Sequence, residues 1–186
     1  MQQIAQGSGC SLNKVAYWMS KHKIQRRSIS EAIYRRRHPA GDPFKIRRAR
    51  TAAEARLVGL GIGLYWGEGT KANRHAVRLG NTDPDLLRTF ILFLTRMCGV
   101  KRSDLRFGLQ LFSDIDSETA LYYWGKQLKV KRSQFYKVIV TPSGSLGTYR
   151  KKSPYGVITV YYTNKKLRDI LVASCRDSSA GRAHSW

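Results

Sequence analysis

The stretch GLGIGLYWGEG, residues Gly59 to Gly69, decides the fold of this chain. In it and just before it, small residues recur at every fourth position and so lie on one face of a helix. They are Ala55, Gly59, Gly63 and Gly67. Glycine costs about 0.5 to 1 kcal/mol against alanine inside a helix, which indicates that another backbone approaches this face closely. That backbone belongs either to a second copy of the chain or to an internal helix.

An acidic residue ends the same helix. Glu68 is its last residue, and Gly69 is expected to cap it in the left-handed conformation. The carboxyl end of a helix carries partial negative charge, so a carboxylate is unfavourable there. A bound divalent cation reverses that penalty. Glu68 is therefore the candidate metal ligand.

The charge of the chain points to a polyanionic partner. Its 186 residues include 34 Lys and Arg but 12 Asp and Glu, a net charge of +22. Such an excess favours binding to nucleic acid. The 10 Tyr, 6 Phe and 4 Trp argue for a folded protein rather than a disordered basic one. No apolar run approaches the roughly 20 residues that cross a bilayer, and no signal peptide is evident. We expect a cytoplasmic protein with no membrane partner and no small-molecule substrate.

Residues 1–21 predict two short helices joined by a tight turn. Gly9 can take the positive φ of such a turn, and Ser11 suits the N-cap of the second helix. The pair resembles the helix-turn-helix of prokaryotic DNA-binding proteins, with Ala5, Gly9 and Val15 at matching intervals. The resemblance implies a recognition helix whose groove-facing side chains are Asn13, Lys14 and Tyr17.

One helix of that motif is missing before this pair. Either the N-terminus is truncated, or Ile24, Ile29 and Ile33 close the small core instead. A helical hairpin that packs on the main domain is the alternative interpretation.

A basic region and a linker follow. Ser28 and Glu31 form a capping box for a helix that ends in Arg35, Arg36 and Arg37. We expect these arginines, with Arg26 and Arg27, to contact phosphates; a solvated basic helix without a ligand is the alternative. The segment HPAGDP breaks the helix. The predicted organisation is a DNA-binding region over 1–37, a basic linker over 38–50 and a main domain over 51–175.

The main domain is predicted to be α+β. Strands are indicated by alternating apolar and polar residues, and they are expected at 76–79, 105–112, 135–141 and 155–163. Helices lie between them, for example from the N-cap Asp83 and Pro84 to a closing Gly99. The pattern predicts an antiparallel sheet with helices on one face and a polar, basic opposite face.

These features together resemble the LAGLIDADG homing endonucleases. Their nine-residue signature aligns with GIGLYWGEG, where three residues agree and Glu68 takes the place of the terminal acid. The matching residues are Gly63, Leu64 and Gly69. Trp66 replaces the internal acid, which in the family does not bind metal. The block RLGNTDPDLLRTFILFL, 78–94, is also similar to the passage that follows the motif.

The resemblance, over residues 53–172, implies a saddle-shaped sheet and a homodimer. The small-residue stripe would be the dimer interface, and Glu68 of each subunit would hold Mg²⁺ or another divalent cation at a scissile phosphate. The implied activity is hydrolysis of both strands of double-stranded DNA. Lys151 or Lys152 would assist catalysis, unless they are plain loop charges. It also implies a nucleoid-associated protein of a prokaryote, phage or mobile element.

The same resemblance implies a set of DNA-facing residues after the motif and on the second strand. They are Lys71, Asn73, Arg74, Arg78, Arg106 and Gln110. Two other functions fit the sequence: a non-catalytic transcriptional regulator on the same fold, and an RNA-binding or RNA-maturation factor. Back-translation of DSSAGRA resembles part of a tRNA gene, which suggests that the reading frame runs into such a gene. A tail of that origin is not selected for packing, so residues 176–186 are expected to be disordered.

Overall fold

The computed structural model of the chain describes residues 1–26, 28–41, 44–143 and 153–180. The chain divides into two compact units, 1–43 and 44–186. The division falls inside the segment predicted as a linker. None of the helices that the structure describes combines the length and apolar character needed to cross a bilayer.

The first unit contains three helices. They are α1 (Gln2–Gly7), α2 (Leu12–Lys21) and α3 (Ile29–Arg37). Gly9 has the predicted positive φ of 59°, and the Ser11 hydroxyl caps α2 by accepting from the Lys14 amide at 3.3 Å. The Ser28 hydroxyl caps α3 through the Glu31 amide. Local capping therefore fixes where α2 and α3 begin.

Of the two alternatives given for the core of this unit, closure by three isoleucines is wrong. Ile24, Ile29 and Ile33 are all exposed, and Ile29 keeps 81% of its surface. The buried apolar side chains among the described residues of this unit are Ala5 and Val15. Two such small side chains offer α3 little apolar surface to pack against, so its isoleucines stay in solvent.

The second unit is α+β, as predicted. Its helices are α4 (Ala52–Glu68), α5 (Pro84–Met97), α6 (Ser117–Leu128) and α7 (Lys165–Ala180). Its strands are β1 (Val77–Asn81), β2 (Arg106–Phe112), β3 (Ile139–Thr141) and β4 (Val157–Tyr162). Asp83 caps α5 through two backbone amides with Pro84 in the first turn, and Gly99 follows with a φ of 71°.

The sheet is mixed rather than antiparallel. Its strand order is β1-β4-β2-β3, and β4 pairs antiparallel with both β1 and β2. The pairing of β2 with β3 is parallel. Parallel strands need a crossover connection, and helix α6, which lies between β2 and β3 in the chain, provides it.

One face of the sheet packs on the helices, and the other carries the polar side chains. The inward residues come from three strands and join a single apolar core with α4 to α7. They are Val77, Leu79, Phe107, Leu109, Leu111, Ile158 and Val160. The alternation predicted for 105–112 is confirmed, because Arg106 and Gln110 point away from this core.

Helix α4 packs inward through a different set of residues from the small-residue stripe. Leu57, Gly61 and Tyr65 are its buried residues. A Cβ at Gly61 would overlap the ring of Phe93 in α5. The close helix–helix approach inside the unit therefore occurs at Gly61.

Helix α4 does not end in the left-handed cap that was predicted. Gly69 has φ −72° and ψ 136° because the chain goes directly into an antiparallel bridge with Leu79. Glycine is needed there for space, since a Cβ would overlap the carbonyl oxygen and ring of Tyr65.

Two boundaries also differ from prediction. Phe44 is buried and packs edge-on against Tyr162 at 5.7 Å, and the Arg47 amide donates to the Met97 carbonyl at 2.8 Å. Residues 44–50 therefore belong to the second unit and not to a free linker. Helix α7 runs to Ala180, so the expected disordered tail does not begin at residue 176; residues 181–186 lie outside the described part.

Candidate nucleic-acid interface

The small-residue stripe of α4 is open within the described part of the chain. Ala55 and all three stripe glycines are exposed. A Cβ built at Gly59, Gly63 or Gly67 meets no described atom within 4 Å. The alternative that an internal helix packs on the stripe is therefore wrong for the residues that the structure describes.

Glu68 lies at the exposed end of this stripe. It is the last residue of α4, and its side chain faces solvent. Among the described residues it makes no hydrogen bond or ion pair, and no group of three or more His, Cys, Asp or Glu side chains gathers there or elsewhere. The site thus offers one accessible carboxylate per chain.

The loop after Glu68 uses two of the predicted DNA-binding residues for its own structure. The Lys71 ammonium donates to the Trp66 carbonyl in the last turn of α4, where a cation is favourable. The Asn73 side-chain oxygen accepts from the amides of His75 at 2.9 Å and Ala76 at 3.0 Å. Arg74 is exposed.

Arg168 of α7 ties this loop down. Its Nε donates to the Asn73 carbonyl at 3.1 Å, and its Nη2 donates to the Lys71 carbonyl. Its Nη1 binds the Asp169 carboxylate at 3.0 Å, and the side chain is only 14% exposed. Arg168 therefore sets the path of the chain that leaves Glu68.

Asp169 is ionised as part of this clamp. Burial alone would raise the pKa of Asp169, but hydrogen bonds from Lys165 and Arg168, together with their charges, hold it below its ordinary value. The Lys165 bond is 2.7 Å long. The carboxylate thus remains a partner of Arg168 at neutral pH.

The open face of the sheet carries a row of three large side chains across three strands. Arg78, Tyr161 and Arg106 are register partners on β1, β4 and β2. The Arg78 guanidinium lies over the Tyr161 ring, 5.1 Å from its centroid. The next outward row is small and consists of Gly80, Thr159 and Gly108. The face is therefore basic at one row and shallow at the next.

The two arginines differ in what they bind. Nη1 of Arg106 donates to the carbonyls of Ser103 at 2.8 Å and Leu105 at 3.0 Å. Nε of Arg78 is buried without a hydrogen-bond partner among the described residues. Gln110, farther along β2, is exposed.

The predicted DNA-binding residues of the first unit are all at its surface where they are described. They are Asn13, Lys14, Tyr17, Arg26, Arg35, Arg36 and Arg37. Lys21 lies 4.8 Å from the Trp18 ring centroid, so α2 presents cations and aromatic rings together. Arg27, Lys151 and Lys152 lie outside the described residues.

A cavity of about 550 Å³ opens at the other end of α4. Its walls include Arg56, Arg96 and Leu92. Glu54 also lines it, and a hydrogen bond from the Arg50 amide together with nearby arginine charges holds the pKa of Glu54 below its ordinary value. Leu60 is the lining residue of α4 nearest to Glu68, and it lies about 12 Å from Glu68 along the helix, so the cavity is separate from the surface around Glu68.

Comparisons with models of protein families, with curated proteins and with solved structures give no match to this chain. The resemblance to the LAGLIDADG enzymes therefore rests on the residues of the chain itself.

Two residues that shape this surface, and the packing role of the buried Gly61, were not predicted from the sequence. Tyr161 and Arg168 lie far along the chain from their partners, and Gly61 was counted only as part of the motif. Alternation in VITVYY could have placed Tyr161 on the open face, since Ile158 and Val160 point inward. No local signal indicates the Arg168 contacts.

Proposed function

We propose that this chain is a homodimeric, divalent-metal-dependent DNA endonuclease of the LAGLIDADG type. The observation that carries the proposal is the open stripe on α4, which ends at an accessible carboxylate beside a basic sheet face. The same proposal puts the protein in the cytoplasm of a prokaryote, bound to the nucleoid, or in a phage or mobile element.

The stripe supports a dimer because it costs helix stability and has no described partner. Leu60 and Trp66 are exposed by 45% and 41%, and they border the bare backbone at Gly59, Gly63 and Gly67. A second α4 can approach such a surface closely. A two-fold axis along this seam would bring two copies of Glu68 together.

The donor set fits Mg²⁺ better than a cation that needs several protein ligands. Mg²⁺ is commonly held by one or two carboxylates with phosphate oxygens and water, and one exposed Glu68 per chain is such a set. When bound, the ion would polarise a phosphate oxygen and supply an activated water for hydrolysis. Glu68 would hold the ion, and the Arg168 clamp would keep the adjoining loop in place.

The sheet face and the first unit are proposed to bind the duplex. We propose that the sheet curves as a saddle over the major groove, with Arg78, Arg106 and Gln110 directed at the DNA. Arginine and glutamine can make paired hydrogen bonds with guanine and adenine edges. The exposed arginines of α3 would add phosphate contacts that carry no sequence information.

The experiment compares wild type with Glu68→Gln on supercoiled plasmids that carry the genomic region around the gene. We expect linear product with Mg²⁺ and none with EDTA, and we expect Glu68→Gln to bind the same DNA but not cut it. The matched control is Glu118→Gln on α6, whose only described partner is the exposed pair with Arg132.

Three results would contradict the proposal. Cutting that survives Glu68→Gln excludes the role of this carboxylate. Tight duplex binding without cutting under any divalent cation favours the transcriptional regulator. Preferential binding to RNA over the same sequence as DNA favours an RNA factor.

A further inference from the structure

The contact between Arg78 and Tyr161 is the most specific arrangement on the open sheet face. The two residues are direct register partners on β1 and β4. The Arg78 guanidinium lies 5.1 Å from the centroid of the Tyr161 ring, which is within the range of a cation–π contact. The ring therefore limits the directions in which this arginine can point.

Tyr161 is itself held from two sides. A Cβ at Gly108 would lie only 2.8 Å from its Cε2 atom, so the ring lies directly over this glycine. Tyr136 packs against the ring edge-on at 5.5 Å and 80°. Glycine in a strand is unfavourable unless something needs the space, and here that is the tyrosine ring.

Arg78 has hydrogen-bonding capacity that the described residues leave unused. Its Nε is buried and has no hydrogen-bond partner there, and its Nη atoms make no described hydrogen bond. Arg106, the register partner of Tyr161 on β2, is bound to two carbonyls. Nε is out of reach of a ligand, but the unpaired Nη groups of this arginine can donate to acceptors that a ligand supplies.

We propose that Tyr161 is a positioning residue, which with Gly108 directs Arg78 toward a guanine edge in the major groove. This inference rests on duplex binding as part of the proposed function, but not on cleavage. Guanine presents two acceptors that match the arginine fork. Orienting the side chain in advance reduces the entropy lost on binding.

The test selects bound duplexes from a randomised pool in EDTA, so that cutting plays no part. We expect wild type to prefer guanine at one position and Arg78→Ala to lose that preference by roughly tenfold. Tyr161→Leu and Gly108→Ala should lose most of it at the same position. Tyr161→Phe keeps the ring and should keep the preference, and the exposed Tyr122→Leu is the matched control.

Salt dependence separates base recognition from backbone contact. The slope of binding affinity against salt should be the same for Tyr161→Leu as for wild type, because no phosphate contact is lost. Uniform weakening on all sequences, or a guanine preference unchanged in Tyr161→Leu, would overturn the inference. Thermal unfolding of each variant shows whether the fold is intact.

A second measurement needs no DNA. The Nε–H resonance of Arg78 in the free protein should be shifted by the tyrosine ring, retained in Tyr161→Phe and moved toward the solvent position in Tyr161→Leu and Gly108→Ala. An Arg78 resonance at the solvent position in wild type would refute the positioning role. If wild type binds no duplex although this resonance is shifted, the proposed function and the guanine target are both refuted. The contact between Arg78 and Tyr161 would still stand in that case.

Discussion

At the scale of single residues, α4 uses its glycines in two opposite ways. Gly61 has no room for a side chain because the ring of Phe93 fills the space. Gly63, two residues later, has nothing near it in the described part of the chain. The first glycine builds the unit, and the second leaves bare backbone available to a partner.

Alanine substitutions should separate these roles. Gly61→Ala should lower the free energy of unfolding by about 1 to 3 kcal/mol because the methyl group overpacks the core. Gly63→Ala should raise the free energy of unfolding of the monomer by about 0.5 to 1 kcal/mol through helix propensity. Urea unfolding at protein concentrations low enough to keep the chain monomeric measures both. Equal effects of the two substitutions would contradict this assignment.

Tyr65 gives a second prediction at this scale. Its hydroxyl is buried without a hydrogen-bond partner among the described residues, and burial raises the pKa of the phenol. Tyr65→Phe removes the unpaired hydroxyl and should stabilise the protein by about 1 kcal/mol. Thermal unfolding is the measurement, with the exposed Tyr122→Phe as control. A clear loss of stability would show that the hydroxyl has a partner.

At the scale of elements, helix α7 holds the loop that follows helix α4. Arg168 of α7 contacts the backbone of Lys71 and Asn73 in that loop. Asp169 holds the other side of its guanidinium. The path of the loop that leaves Glu68 therefore depends on a residue that is close in space but distant in sequence.

Lysine cannot replace this arginine, because a single ammonium cannot reach both carbonyls and the carboxylate with the geometry of a guanidinium. Arg168→Lys should destabilise the protein by about 1 to 2 kcal/mol. It should also speed hydrogen exchange at the amides of His75 and Ala76. The control is Arg132→Lys, whose exposed ion pair contributes little. Unchanged exchange in Arg168→Lys would show that the clamp does not hold the loop.

The same clamp predicts a pH dependence. Because the pKa of Asp169 is lowered in the folded protein, its contribution is present above the unfolded value near 3.9 and is lost as pH falls through the folded value. Asp169→Asn should therefore be less stable than wild type at pH 7 and should lose less stability below about pH 4. Urea unfolding at pH 7 and pH 3.5 tests this. Parallel pH curves would contradict it.

Local signals predicted the parts of the fold that depend on neighbours in sequence. Asp83, Ser11 and Gly99 mark helix ends through their own hydrogen bonds or backbone angles. The extended path at Gly69 depends on pairing with Leu79 and was not predicted. The same holds for the parallel strand β3, whose direction follows from the crossover through α6.

The candidate site likewise contains features that the sequence predicts and features that only the tertiary fold determines. The position of Glu68 at the end of α4 follows from the motif itself. The contact of Tyr161 with Arg78 could not be predicted, because it depends on the register of the strands. The bond from Lys71 to the last turn of α4 depends on the path of the loop, which is set by contacts with α7. Sequence patterns identified the open face of the sheet, and the tertiary fold determines which of its side chains remain available.

At the scale of the whole molecule, a net charge of +22 favours a polyanionic partner. The first unit carries exposed arginines at the end of α3, and the second carries basic residues on its open sheet face. If the partner is DNA, as proposed, both units contribute phosphate contacts. Together they predict strong dependence of affinity on salt.

Removing one arginine of α3 should reduce that dependence. Arg36→Ala should flatten the plot of log affinity against log salt by about one unit on any duplex, because one phosphate contact is lost. The control is Arg88→Ala, since Arg88 is already bound to Asp85 and Gln127 within the second unit. An unchanged slope for Arg36→Ala would show that this side chain does not contact the DNA phosphates.

The most direct test of the central claim is cleavage by mixed dimers. Wild-type and Glu68→Gln chains carrying different tags are co-expressed, and the mixed dimer is purified and given supercoiled plasmid with Mg²⁺. If two copies of Glu68 each serve one strand, the mixed dimer should yield nicked circles while the wild-type dimer yields linear DNA. Linear product from the mixed dimer at the wild-type rate, or no mixed dimer at all, would contradict the account.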